Sequence, residues 1–181
     1  MIAYKAFRPG LICRDYQFAM GLNVTDKANC VRNGFHSAEN PLDCLSYYSF
    51  ENSDFYLVDA GGDIDEDNSD SKISCTELRI LKQLSRKEFF LHALAYMVDH
   101  PYRKWSSHVT ADRAHANGGY AVVRGCDPLA CGSIGDYLAL AKENPASGKI
   151  AQTAFAQVDG ETLLPGVWYD VNFEKRTVGV F

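Results

Sequence analysis

About half of residues 111–141 are Ala, Gly, Cys or Ser. Small side chains at that density suit tight stacking of short strands, as in a β-roll or rudimentary solenoid. Short apolar pieces, Tyr120-Ala121-Val122-Val123 and Tyr137-Leu138-Ala139-Leu140, alternate there with glycine turns, without a strict repeat period. Further on, Asp159-Gly160 is a hairpin signal between strands at 154–158 and 161–164. Residues 167–171 and 177–181 read as further strands of a meander, joined through the polar stretch 172–176.

The first half carries different signals. Residues 2–7 and 11–20 are apolar and aromatic runs separated by Pro9-Gly10, which predicts two strands and a turn. A helix follows over 40–50. Asn40 suits its N-cap, Pro41 its first position and Asp43 its first turn, and Leu42, Leu45 and Tyr48 recur at a spacing of three. Residues 55–58 predict a buried strand ending at Gly61-Gly62, residues 63–70 an acidic loop, and residues 72–80 another strand. The second helix starts at Ser85, where Ser85 and Glu88 form an S-x-x-E capping box. Phe90, Ala93, Leu94, Met97 and Val98 follow the helical pattern, and His100-Pro101 ends it. Together these predict an α+β chain: N-terminal mixed strands with two helices, and a C-terminal β-rich lobe of roll or meander type. With no low-complexity linker, residues 1–181 read as one domain with sub-lobes of about 1–105 and 106–181.

The 181 residues are 46% apolar and 23% charged, enough for a folded core. The formal net charge of −5 argues against general nucleic-acid affinity and permits binding to a basic protein surface. No segment approaches the roughly 18 apolar residues of a membrane span, and residues 1–8 lack a signal peptide's pattern, so a cytoplasmic location is expected. In that setting Cys13, Cys30, Cys44, Cys75, Cys126 and Cys131 are expected to be reduced, and mostly buried small hydrophobes. No C-x-x-C occurs, and Cys126 and Cys131 have neither a second pair nor a nearby His, so no zinc site is expected.

No dinucleotide fingerprint, P-loop or serine elbow is present, so no catalytic residue and no cofactor follow from motifs. Asp63, Asp65 and Asp67 occupy positions one, three and five of a calcium-type loop. Asn68 replaces the turn Gly and Ser74 the bidentate Glu, so calcium affinity is expected to be poor. Asp63, Asp65, Glu66, Asp67 and Asp70 instead form a negative patch suited to a cationic partner. Five carboxylates in eight residues rival the charge spacing of a nucleic-acid strand, about one per 3.4 Å. His36, in Gly34-Phe35-His36, lies between a turn and a helix start and can serve as donor or base. His92 reads as packing, and His108 and His115 stand apart from any thiol pair. Arg103-Lys104-Trp105, with Arg113, is too small a cluster for nucleic acid.

A set of local features resembles a family of small phage and prophage proteins: Tyr4-Lys5-Ala6-Phe7, Cys13-Arg14, Gln17-Phe18, Cys30, Asn33-Gly34-Phe35-His36, residues 39–45 and Tyr47-Tyr48. Residues 132–141 and Val158-Asp159-Gly160-Glu161 resemble that family's C-terminal part. Its other members place glycine- and serine-rich repeats between the two parts, where this chain is short. The resemblance extends to type II-A anti-CRISPR proteins. It implies an inhibitor that binds the Cas9–guide RNA ribonucleoprotein in a bacterial host and blocks DNA engagement or cleavage. An acidic patch is electrostatically suited to Cas9's positive channel. A second expectation is an enzyme with an ADP-ribosyltransferase-like lobe, with His36, Glu39 and Tyr47 as candidates near an NAD pocket. A third is a phage structural or accessory protein that uses the β-rich lobe as an assembly surface.

Overall fold

The computed structural model describes residues 1–30, 32–66 and 70–178. The chain divides into two compact units, Met1–Phe89 and Phe90–Phe181.

The first unit contains β1 (Ile2–Phe7), β2 (Ile12–Cys13), β3 (Tyr16–Gln17), β4 (Gly21–Val24), β5 (Phe35–Ala38), a 3-10 helix (Pro41–Ser46), β6 (Asp54–Glu66) and β7 (Lys72–Leu84). β6 and β7 are long antiparallel partners that form the backbone of the unit. β1 pairs with β6 along its whole length, and β5 pairs with β7 from Phe35↔Cys75 to Ala38↔Lys72. Because β6 and β7 also pair with each other, the order β6-β1-β5-β7 closes on itself, with β4 added beside β5 on β7. The seam is the β1–β5 ladder, where the only register pair is Tyr4↔Ala38.

The closed sheet holds its core inside. Ala3 and Phe7 from β1, Phe35 from β5, Tyr56, Val58 and Ala60 from β6, and Ile73, Cys75 and Ile80 from β7 form one buried cluster with Phe18. Phe7 and Phe18 meet edge to face with centroids 5.0 Å apart. Fully burying a side chain of this size contributes about 1.5–3 kcal/mol. Strand alternation puts Lys5, between Ala3 and Phe7, on the same inward face.

α1 (Arg86–Asp99) starts at the capping box: Ser85 Oγ accepts from the Glu88 N–H at 3.2 Å, and Glu88 Oε2 accepts from the Ser85 N–H at 2.8 Å. Phe89 packs on Phe55, centroids 4.3 Å apart. The second unit adds β8 (Thr110–His115), β9 (Tyr120–Cys131), β10 (Tyr137–Glu143), β11 (Ile150–Gln157), β12 (Trp168–Tyr169) and β13 (Lys175–Arg176). β8 and β10 both run parallel to β9, with Thr110↔Val123 and Tyr120↔Tyr137 in register. Parallel neighbours joined by such short links cannot use a helical crossover, so the chain coils strand upon strand. Ala121, Ala130, Leu138 and Leu140 fill its interior with Val158 and Tyr169. Phe90 lies against Tyr120, Tyr137 and Phe155 at 5.5, 5.8 and 5.9 Å.

The architecture corrects the α+β expectation with two helices. The chain is mostly β, 49% strand against 11% helix. Residues 41–46 form a 3-10 turn, not an α-helix. The spacing of three shared by Leu42, Leu45 and Tyr48 is the 3-10 period itself. Gly61-Gly62 does not end its strand. β6 runs on through a register shift between Gly61 and Ile64, where Gly62 has φ +68° and the Asp63 N–H is taken by Thr76 Oγ1 at 2.9 Å. This is a glycine bulge, which bends a strand without terminating it. The acidic stretch therefore starts in a paired strand, with Asp65↔Ser74 and Glu66↔Ile73, rather than in a loop. Asp159-Gly160 is no hairpin either. Asp159 Oδ1 accepts the N–H groups of Glu161, Thr162 and Leu163, so those residues curl into a side-chain-held turn. Of the strand expected over 177–181, residues 179–181 lie outside the described residues, and the pairing falls on Lys175 and Arg176.

Candidate anion-binding cleft

β1 and β5 part immediately after Tyr4↔Ala38, and a cleft of about 520 Å³ opens at that seam. Its wall includes Lys5, Ala6, His36 and Ser37 from the two diverging strands. The 3-10 helix and the residues after it add Asp43, Cys44, Tyr47 and Tyr48, and the β2–β3 hairpin adds Cys13 and Arg14. Arg8 and Lys72 complete its charged residues. A volume of this size is in the range of small-molecule sites, roughly 300–1,000 Å³.

Parting strands leave backbone groups without ladder partners, and side chains take them up here. Lys5 Nζ donates to the His36 carbonyl at 2.5 Å. Cys44 Sγ donates to the Tyr4 carbonyl at 3.4 Å. Burial pushes the Cys44 thiol up to about 12 and the Cys75 thiol up to about 11, so both stay protonated and structural.

Lys5 is 4% exposed and makes no ion pair among the described residues. Its ammonium lies 5.2 Å from the ring centroids of both Phe7 and Phe18. Burial lowers its pKa from the ordinary lysine value. The side chains of Arg8 and Arg14 make no ion pair among the described residues. Lys72 Nζ donates to Tyr47 Oη at 2.8 Å and sits 4.7 Å from that ring's centroid, while Tyr47 Oη donates to Asp70 Oδ2 at 2.7 Å. Asp43, the one carboxylate lining the cleft among the described residues, is already occupied: its Oδ2 accepts from Ser71 Oγ at 2.7 Å and from the Ser71 N–H at 3.1 Å. His36 reports the resulting field. Burial, then Lys5, Arg14 and Lys72, lower its pKa to about 4. The cleft is thus a positive recess in a chain of net charge −5, and Ser37 Oγ in its wall is buried without a hydrogen-bond partner among the described residues.

His36 and Tyr47 line this cleft and Glu39 does not; Glu39 is half-buried, and its N–H donates to the Ser71 carbonyl. Asp63, Asp65 and Glu66 are exposed on the far end of β6, and the Cys30 N–H donates to Asp65 Oδ2 at 2.6 Å. Asp67 lies outside the described residues. Asp70 accepts from Tyr47 Oη and also from the Lys72 N–H at 2.9 Å. Lys5, Arg8, Cys13, Arg14, Ser37 and Tyr48 escape sequence reading because no spacing rule links them; the closure of the sheet does. Among the described residues no cluster of His, Cys, Asp or Glu is arranged to hold a metal ion, and no helix is long and apolar enough to cross a membrane.

No curated protein and no solved structure matches the chain. A family described as a domain of unknown function, DUF7666, matches residues 1–92, which include every residue that lines the cleft. Spanning half of the sequence, that match places the chain in the DUF7666 family.

Proposed function

We propose that the first unit is a binding module for a phosphate-bearing small molecule held in the seam cleft. The observation that carries this is the charge inventory: Lys5, Arg8, Arg14 and Lys72 line the recess, and Asp43, the one carboxylate in its wall among the described residues, is engaged by Ser71. Guanidinium groups suit phosphate because their planar donors match its oxygens. A dinucleotide such as NAD is the first ligand to test, since His36 and Tyr47 both line the cleft. Glu39 stands outside it, so this reading is of binding, not of ADP-ribosyl transfer through that triad.

Titration calorimetry with NAD, ADP-ribose and inorganic pyrophosphate tests it. Saturable binding that weakens at least tenfold in the Arg8→Gln, Arg14→Gln double variant, and falls with added salt, is the expected result. Absence of heat with all three ligands ends the proposal.

A second reading is favoured by one feature outside the cleft, the exposed carboxylates of Asp63, Asp65 and Glu66. It has the protein occupy the cationic surface of a Cas9–guide RNA complex in the cytoplasm of a bacterial host. That reading expects co-elution with the ribonucleoprotein and inhibition saturating near one equivalent. Undiminished DNA cleavage at large molar excess removes it.

A further inference from the structure

Among the cleft residues, Cys13 has surroundings unlike those of the other thiols. It is half-buried, not sealed in the core as Cys44 and Cys75 are. Tyr48 Oη donates to its Sγ at 2.9 Å. Lys5, Arg8 and Arg14 line the same cleft as that sulfur. A partly exposed sulfur with a phenol donor beside it and cations lining the same recess is the kind of electropositive setting in which reactive thiols sit. Tyr48 can only be the donor: burial and its bond to Cys13 raise its pKa above the ordinary phenol value, so it keeps its proton.

The backbone around Cys13 supports the same assignment. Leu11 (φ 62°) and Arg14 (φ 53°) are both left-handed non-glycine residues, flanking Cys13 on the short β2–β3 hairpin. Such conformations cost free energy and persist where surrounding contacts enforce them, commonly at functional sites. They hold Cys13 and Arg14 beside Lys5, Arg8 and Tyr48 around one recess. Ser37 Oγ supplies an independent sign of a ligand. Its residue is 5% exposed, it lines the cleft, and its hydroxyl lacks a partner among the described residues.

We propose that Cys13 is the nucleophile of this cleft, placed to attack an electrophilic carbon of an anionic ligand. The inference rests on the anion-binding reading above. The thiol proton passes to water, the sulfur lone pair forms the S–C bond, and the leaving group departs from that carbon with its bonding electron pair. Tyr48 is the positioning group that holds the sulfur, while Lys5, Arg8 and Arg14 attract the ligand's charge.

The chain carries its own control, because Cys126 is an exposed thiol. Native protein is alkylated at neutral pH with iodoacetate or with iodoacetamide, and each cysteine's rate is read by peptide mass mapping. Alkylation of Cys13 about tenfold faster than Cys126, with a larger iodoacetate-to-iodoacetamide ratio at Cys13 than at Cys126, is the expected result. Tyr48→Phe, which keeps the ring and removes the donor, should slow Cys13 several-fold and leave Cys126 unchanged. Cys13 reacting no faster than Cys126 with either reagent overturns the nucleophile, as does a Tyr48→Phe rate equal to wild type. Rapid reaction of Cys13 without preference for iodoacetate overturns the anionic ligand. Calorimetry on Cys13→Ser, which keeps every cation, then separates the two: binding retained means that only the nucleophile has failed.

Discussion

Lys5 Nζ and the His36 carbonyl oxygen, 2.5 Å apart, bridge the seam at which β1 and β5 stop pairing. The contact replaces a ladder bond with a side chain, and so leaves room where the next rungs would be. A closed sheet of this kind normally fills its interior with apolar side chains. Here one inward position carries an ammonium group held by two aromatic faces and a carbonyl. Burying such a charge is costly without a partner. The arrangement makes sense when a ligand brings negative charge to the seam.

The pH dependence of stability should show the same field. His36 titrates near 6.5 in the unfolded chain and is pushed to about 4 in the fold by burial and by Lys5, Arg14 and Lys72. As pH falls from about 6.5 towards 4, the unfolded chain takes up a proton that the folded chain refuses, so stability must fall across that window. It should be fully present above 6.5 and level off below 4. Denaturant midpoints at a series of pH values, for wild type and His36→Gln, measure this. The variant should lose the slope between pH 6.5 and 4, and equal slopes would show that His36 is not held neutral.

Gly34 precedes the strand that carries His36, and its backbone admits no side chain. At φ +85° it is left-handed, and a Cβ there would lie 2.2 Å from Ser74 Oγ and 2.9 Å from Ala28 Cα. Ser74 Oγ is committed to the Asn33 carbonyl at 2.6 Å and cannot turn away without losing that bond. Gly34→Ala should therefore destabilise the first unit by more than about 1 kcal/mol, measured by urea unfolding. It should also weaken ligand binding in the cleft, because β5 would shift with it.

Local rules found the elements whose causes are local. Ser85 and Glu88 announce α1, and Asn40 announces a helical start, since its Oδ1 does accept the Leu42 N–H at 3.1 Å. The same rules failed where tertiary pairing decides. Gly61-Gly62 read as a stop, yet β7 offers Thr76 and Glu77 to carry β6 past them. The cleft was half legible: His36 and Tyr47 stand out by type and position, whereas Lys5 looks like any strand lysine until β1 is closed against β5. Cys13 stands out in the sequence only within the family resemblance, because its hydrogen-bond partner Tyr48 comes from a separate element.

The capping box makes an independent acid-range prediction. Lys82, then the Ser85 N–H and hydroxyl, hold the Glu88 carboxyl at about 2, below its ordinary 4.5. Its contribution is therefore present above pH 4.5 and lost as pH falls towards 2. Thermal melts of wild type and Glu88→Gln should differ at pH 6 and converge near pH 2. Ser85→Ala should cost about 1 kcal/mol at neutral pH, the usual effect of losing an N-cap hydroxyl.

In the second unit, Arg124 is 3% exposed and its Nε donates to Glu143 Oε1 at 2.7 Å. Its Nη2 donates to the Pro101 carbonyl at 2.7 Å, and its guanidinium lies 4.6 Å from the Trp105 ring centroid. Removing one partner of such a pair leaves a buried charge uncompensated, while removing both need not. Glu143→Gln should destabilise the unit by roughly 3 kcal/mol. Arg124→Met combined with Glu143→Leu should recover most of that loss, because the two apolar side chains fill the space without a desolvated charge. Guanidinium chloride unfolding of the two variants measures the difference. A double variant as unstable as the single one would mean that the Pro101 and Trp105 contacts, rather than the ion pair, hold this part of the coil together.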